Sequence, residues 1–182
     1  MIQSSTAHRL TLRQRVGVGA LLLILAALGV LALARDSLHR MQRAHDRAAH
    51  AHAVHLAGET VLRAAGEVML SEGTTPTRDA LLQAADLIGP HLDELVEHDA
   101  EMARQQLAWP TLRRRIDALL AVRLINATDE TSLINYGALI AGMESFLPAA
   151  VAAARRADAA ADAALERAAW LLFGGLLGLT AL

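Results

Sequence analysis

From Val16 to Ala34, nineteen consecutive residues carry no charged or strongly polar side chain. A helix needs about 20 apolar residues to cross the hydrocarbon core of a bilayer, so this stretch is expected to be a transmembrane span. Arg9, Arg13 and Arg15 precede it without a single acid, which places the N-terminus, residues 1–15, in the cytoplasm. Beyond the span, Arg35, Arg40, Arg43 and Arg47 are interleaved with Asp36 and Asp46, and a long domain translocates largely regardless of its charge. The rival is a cleaved signal peptide, because Ala32-Leu33-Ala34 fits the small-x-small cleavage rule. Against it, the apolar stretch exceeds the roughly 7–15 residues of a signal core.

A second uncharged run follows Arg167, over residues 168–182. Trp170 stands where an interfacial anchor would sit, and Gly174 and Gly178 form a small-xxx-small pair that lets helices approach closely. The run is short for a span, and the sequence is expected to stop inside a second transmembrane helix. The 182 residues then allow one domain between two membrane segments. Aromatics are only 3% of a chain that is 54% hydrophobic, so the core must be built from Ala and Leu. A net charge of −2 and so few rings argue against a nucleic-acid partner. With no cysteine, disulfide frameworks, thiolate metal sites and thiol nucleophiles are excluded.

Residues 35–167 hold all 19 acids, and helix punctuation divides them into four. The first helix runs on from the span to about Ser71, with Gly73 as its cap and Thr75-Pro76 opening the second. The second extends to Leu107, with a kink or break at Gly89-Pro90. Trp109-Pro110 begins the third, which ends near Asn126, and Thr128 to Thr131 cap the fourth. Periodic stripes support each helix. They are Met41, Ala44, Ala48, Ala51, Gly58, Val61, Ala65 and Val68 in the first; Leu81, Ala85, Ile88, Leu92, Leu95 and Met102 in the second; Leu112, Ile116, Leu119 and Leu120 in the third. The fourth reads Leu133, Tyr136, Ile140, Met143, Leu147, Ala150, Ala154, Ala157, Ala161, Ala164 and Ala168. Setting Arg35 level with Ala168 brings Ala44–Ala51 opposite Ala150–Ala161, so small residues meet small ones. The expected fold is all-α: a membrane-anchored, antiparallel, up-down four-helix bundle whose outer helices continue into two transmembrane spans.

Two residue groups carry chemistry. Five of the eight histidines cluster between His39 and His55. His55 with Glu59, and His91 with Glu94, share helix faces, and reflection through the first hairpin puts His55 level with Glu94. Such a belt has the donors to hold zinc or iron, or to titrate near neutral pH. Against it, the helical wheel turns these residues away from the core stripe, so a solvated polar face is the competing account. The second group is Glu144, near the core stripe, with Arg123 expected at similar height and Asn135 and Tyr136 adding hydrogen-bonding capacity. Arg123 and Glu144 are either a structural ion pair or a seat for an anionic ligand. No phosphate loop, triad, kinase signature or G-x-S-x-G is present, so enzymatic activity is not expected and no cofactor is required.

Leu10 to Ala34 (L-T-L-R-Q-R-V-G-V-G-A-L-L-L-I-L-A-A-L-G-V-L-A-L-A), followed by a helical outer segment and a return span, resembles the front end of bacterial methyl-accepting chemotaxis receptors with four-helix-bundle sensors. Sensor histidine kinases and diguanylate cyclases have similar front ends, and Thr131 to Pro148 (T-S-L-I-N-Y-G-A-L-I-A-G-M-E-S-F-L-P) is loosely similar to a helix of such sensors. The resemblance covers the architecture of the whole chain without a diagnostic motif. It departs at the end, where such receptors continue into a HAMP linker and an output domain. It implies an inner-membrane homodimer with residues 35–167 in the periplasm, sensing a small molecule or a periplasmic binding protein and passing a shift of the fourth helix to an output domain. The alternatives are a metal- or pH-responsive periplasmic bundle, and a non-signalling membrane scaffold or secreted helical protein.

Overall fold

The computed structural model describes residues 12–122, 125 and 129–180. Among these the secondary structure is all helical: α1 Leu12–Leu70, α2 Thr75–Asp86, α3 Ile88–Val96, α4 Ala100–Ala121 and α5 Glu130–Thr180. α1 and α5 are both long and apolar enough to cross a membrane. The chain divides into two compact units, one of residues 1–41 with 162–182 and the other of residues 42–161.

Within residues 42–161, one buried cluster draws side chains from all five helices, among them Val61, Leu81, Ile88, Met102, Ile116 and Phe146. Full burial of each large aliphatic or aromatic side chain stabilises the fold by roughly 1.5–3 kcal/mol, and this cluster is what holds the helices together. α1 and α5 run in opposite directions. Gly58 faces Met143 and Leu147, while Gly66, further along α1, faces Tyr136, earlier in α5. His52 lies 3.6 Å from Asp158 on the same side-by-side pair. The two glycine contacts stay close to the predicted register, in which Ala44–Ala51 lie opposite Ala150–Ala161. Ala44, Ala48 and Ala51 on α1 are all buried, and so are Ala150, Ala153, Ala154 and Ala157 on α5.

The phase of the α5 stripe differs from the sequence pattern before Met143. Leu133 is exposed, and the buried face is Ser132, Asn135, Leu139, Met143 and Phe146. Phe146 sets this phase: it is fully buried, and its ring lies 5.7 Å from that of Trp109 on α4. It stands outside the predicted stripe, whose steps were counted through Leu147.

Helix ends follow local chemistry. α1 closes where Glu72 and Gly73 both take positive φ, 54° and 69°, and the Gly73 amide donates to the Val68 carbonyl at 2.9 Å. A left-handed residue after the last turn is the ordinary way to satisfy terminal carbonyls. Arg78 then ties the turn to the far end of α4, donating to the carbonyls of Gly73 (2.6 Å), Leu120 (2.7 Å) and Val122 (3.1 Å). The break in the second predicted helix comes at Leu87, ahead of Gly89-Pro90. Pro90 therefore falls in the first turn of α3, where an amide hydrogen has no intrahelical partner to lose.

The next turn corrects the sequence expectation. Trp109-Pro110 does not begin a helix; it lies inside α4, which starts at Ala100. The start is fixed by Asp99, whose carboxylate accepts from the amides of Glu101 (2.9 Å) and Met102 (3.2 Å). With α4 at 22 residues, against 12 and 9 in α2 and α3, the middle helices match in length. The predicted boundaries made the second helix much longer than the third, and that inequality disappears.

In the other unit, the α1 and α5 segments meet through small residues. Ala34, Ala164 and Ala168 are buried, and Ser37 Oγ donates to the Ala164 carbonyl at 3.1 Å. A Cβ on Gly175 would come within 2.8 Å of Val30. Gly175 therefore makes the close approach, and Gly174 and Gly178 face open space. Leu21, Leu22, Ile24, Leu25, Leu28 and Leu31 are each more than half exposed, an apolar surface suited to lipid.

Candidate functional site

Residues from three helices and a turn converge around the α3–α4 connection. Arg47 comes from α1, Leu95 from the end of α3, His98 and Asp99 from the turn itself, and Arg156 from α5. They line a cavity of about 210 Å3 together with Ala153, Ala157 and Ala160. The void follows from sequence: three α5 positions on this face carry nothing beyond Cβ, so no side chain fills the space.

Asp99 is the anchor. Arg156 donates to its Oδ2 through Nε at 3.0 Å and Nη2 at 2.6 Å, while the opposite lone pairs cap α4. Burial pushes the carboxyl up, but the Arg156 hydrogen bonds and charge, with the Met102 and Glu101 amides, outweigh it and hold Asp99 below its ordinary value. One carboxylate thus fixes a helix start and positions a guanidinium. Arg47 is held differently: its Nε donates to the Arg43 carbonyl of its own helix at 3.0 Å, and among the described residues no carboxylate pairs with it.

A neighbouring groove of about 330 Å3 shares Arg47 and His98 and adds Arg43, Asp46, Ala49, His50 and Glu94. Beside it His50 on α1 and His91 on α3 meet Nδ1 to Nδ1 at 3.0 Å, with ring centroids 5.3 Å apart. At that separation one ring must donate and the other accept.

The residues singled out from sequence are distributed differently. His55 pairs along its own helix with Glu59 at 3.3 Å, and its Nδ1 is buried without a partner. His91 faces His50, eight positions in pairing register from the expected alignment of His55 with Glu94. Glu94 is exposed. The belt His55, Glu59, His91 and Glu94 is therefore not assembled, and among the described residues no group of three or more metal-ligating side chains converges. Glu144 is exposed where partial burial was expected, since it lies beside Met143 on the flank turned out by the phase Phe146 sets. Asn135 is buried at 8% exposure, Tyr136 is half-buried with its hydroxyl against Gly66, and Arg123 lies outside the described residues.

Arg47, His98, Asp99 and Arg156 escaped the sequence reading because they join through the misplaced turn. Asp99 alone had a local signal, a capping residue two positions before Glu101. Comparison with family models, with curated proteins and with solved structures finds no match to this chain.

Proposed function

We propose that this chain is the ligand-sensing and transmembrane signalling portion of a bacterial receptor, of the methyl-accepting chemotaxis kind. Its N-terminus lies in the cytoplasm and residues 35–167 lie in the periplasm of an inner-membrane homodimer. Residues 42–161 act as an antiparallel up-down four-helix bundle, and a ligand shifts α5 against α1. One observation carries this reading: α1 and α5 each run without a break from an exposed apolar segment into helix that lines the buried cluster. A helix of that kind carries a displacement along its length, because its hydrogen bonds make it stiff whereas its lateral contacts can slide.

The chain has no cysteine, so single-cysteine variants report topology cleanly. In intact bacteria a membrane-impermeant maleimide is expected to label Glu144→Cys, an exposed position, and to spare Ser5→Cys. Labelling of both or of neither sinks the anchored-receptor assignment.

The His50–His91 contact favours a second reading, a pH-responsive bundle. Two protonated rings 3.0 Å apart repel. If the contact is such a switch, the rate of disulfide formation between His52→Cys and Asp158→Cys changes on acidification, and His91→Gln abolishes the change. A rate independent of pH removes this reading.

A further inference from the structure

We propose that the cavity bounded by Arg47, His98 and Arg156 binds a small oxyanion, a carboxylate or inorganic phosphate, with the Arg47 guanidinium as its principal contact. The assignment rests on the sensing function proposed above and supplies its ligand class.

Charge is the first reason. Arg156 has its carboxylate in Asp99, whereas half-buried Arg47 has none among the described residues, so the cavity holds one cation more than its acid neutralises. His98 also lines it, and its ring can offer an N–H donor. On the far side of Arg47 the adjoining groove carries Asp46 and Glu94 beside Arg43 and His50, and neither of those carboxylates forms an ion pair with Arg47.

Geometry is the second reason. Arg47 uses Nε on a backbone carbonyl, and Asp99 takes Nε and Nη2 of Arg156, which leaves Arg156 Nη1 for another acceptor. Two fixed guanidinium groups with terminal N–H donors to spare match the oxygens of a carboxylate or phosphate, to which such forks bind with short, charge-assisted hydrogen bonds. Size is the third. About 210 Å3 is below the range of roughly 300–1,000 Å3 typical of pockets for larger ligands, so the occupant has few atoms.

The test is calorimetric titration of the full chain in non-ionic detergent with inorganic phosphate and, separately, succinate, each against sodium chloride at equal ionic strength. Saturable binding of at least one probe is expected. Arg47→Gln should weaken it at least tenfold, and Ala160→Leu, which fills the cavity from an exposed position, should abolish it. Arg113→Gln, whose side chain instead pairs with Asp86 and Asp117, should leave it unchanged. Repeating the titration in phosphatidylglycerol and phosphatidylcholine nanodiscs distinguishes the source. Binding in both marks a free anion, and loss only in phosphatidylglycerol marks a lipid phosphate competing for the same oxyanion site. No saturable heat with either probe, or wild-type binding by both Arg47→Gln and Ala160→Leu, overturns the proposal. Absent binding with the expected maleimide labelling removes the site and leaves the receptor assignment; binding with failed labelling does the reverse.

Discussion

Asp99 shows how much one side chain settles here. It caps α4 and holds Arg156, so Asp99→Ala is expected to cost about 1–2 kcal/mol in reversible denaturation, with Asp99→Asn, which keeps an acceptor, costing less. The pH dependence has a definite sign. The folded-state carboxyl lies below the ordinary 3.8, so its contribution is complete above that value and is lost as pH falls through the lower, folded one. Stability measured from pH 6 downward should fall less steeply in Asp99→Asn than in the wild type; parallel curves would remove Asp99 from the account. Arg78 is the second such residue, since it satisfies three carbonyls at once. Arg78→Met leaves them without that donor and should destabilise by roughly 1.5–3 kcal/mol, the range for hydrogen bonds to charged groups, read from the same denaturation curves. Asp99 offered only a weak capping signal in the sequence, and Arg78 offered none. Arg78 looks like any solvated arginine in a first helical turn, and its partners come from another helix.

At the scale of elements, periodicity told most of the story and punctuation misled once. Leu81 to Leu95 and Leu112 to Leu119 lie buried at the spacing the sequence showed, because burial on a helix face repeats with the helix. The α3–α4 turn was unreadable because Trp109-Pro110 gives a strong start signal whereas Asp99 gives a weak one. Pro110 is instead exposed inside α4, where it removes an intrahelical hydrogen bond. Pro110→Ala should therefore raise the midpoint of urea denaturation, by up to about 3 kcal/mol in stability; a lowered midpoint would mean that α4 needs the interruption. Close helix approach gives a further expectation. A Cβ on Gly142 would run into the Leu112 side chain at Cδ2, so Gly142→Ala should cost about 1–3 kcal/mol. Combined with Leu112→Ala the two losses should add to less than their sum, whereas strict additivity would show that the helices do not meet there.

For the whole molecule, the two apolar segments and the helical class were visible from composition and run length alone. The division into compact units was not, because the helices that contribute to both show no break in sequence where one unit gives way to the other. Residues 42–161 depend on alanine to an unusual degree, with Ala48 and Ala154 buried at 2% and 1% exposure. Ala48→Leu or Ala154→Leu should destabilise by about 1–3 kcal/mol and slow disulfide formation between His52→Cys and Asp158→Cys. An unchanged rate in both variants would show that alanine is not needed for the approach.

That alanine face has a kinetic meaning as well. Leucine knobs moving past one another must change rotamer together, and each change waits on its neighbours. Alanine has no rotamer to change, so a contact between Ala44–Ala51 and Ala150–Ala157 presents a low, nearly smooth barrier along the helix axis. The sliding proposed for α5 would therefore be limited by the backbone and the solvent rather than by side-chain repacking, and the same lack of interlocking teeth that makes the contact close would make it quick.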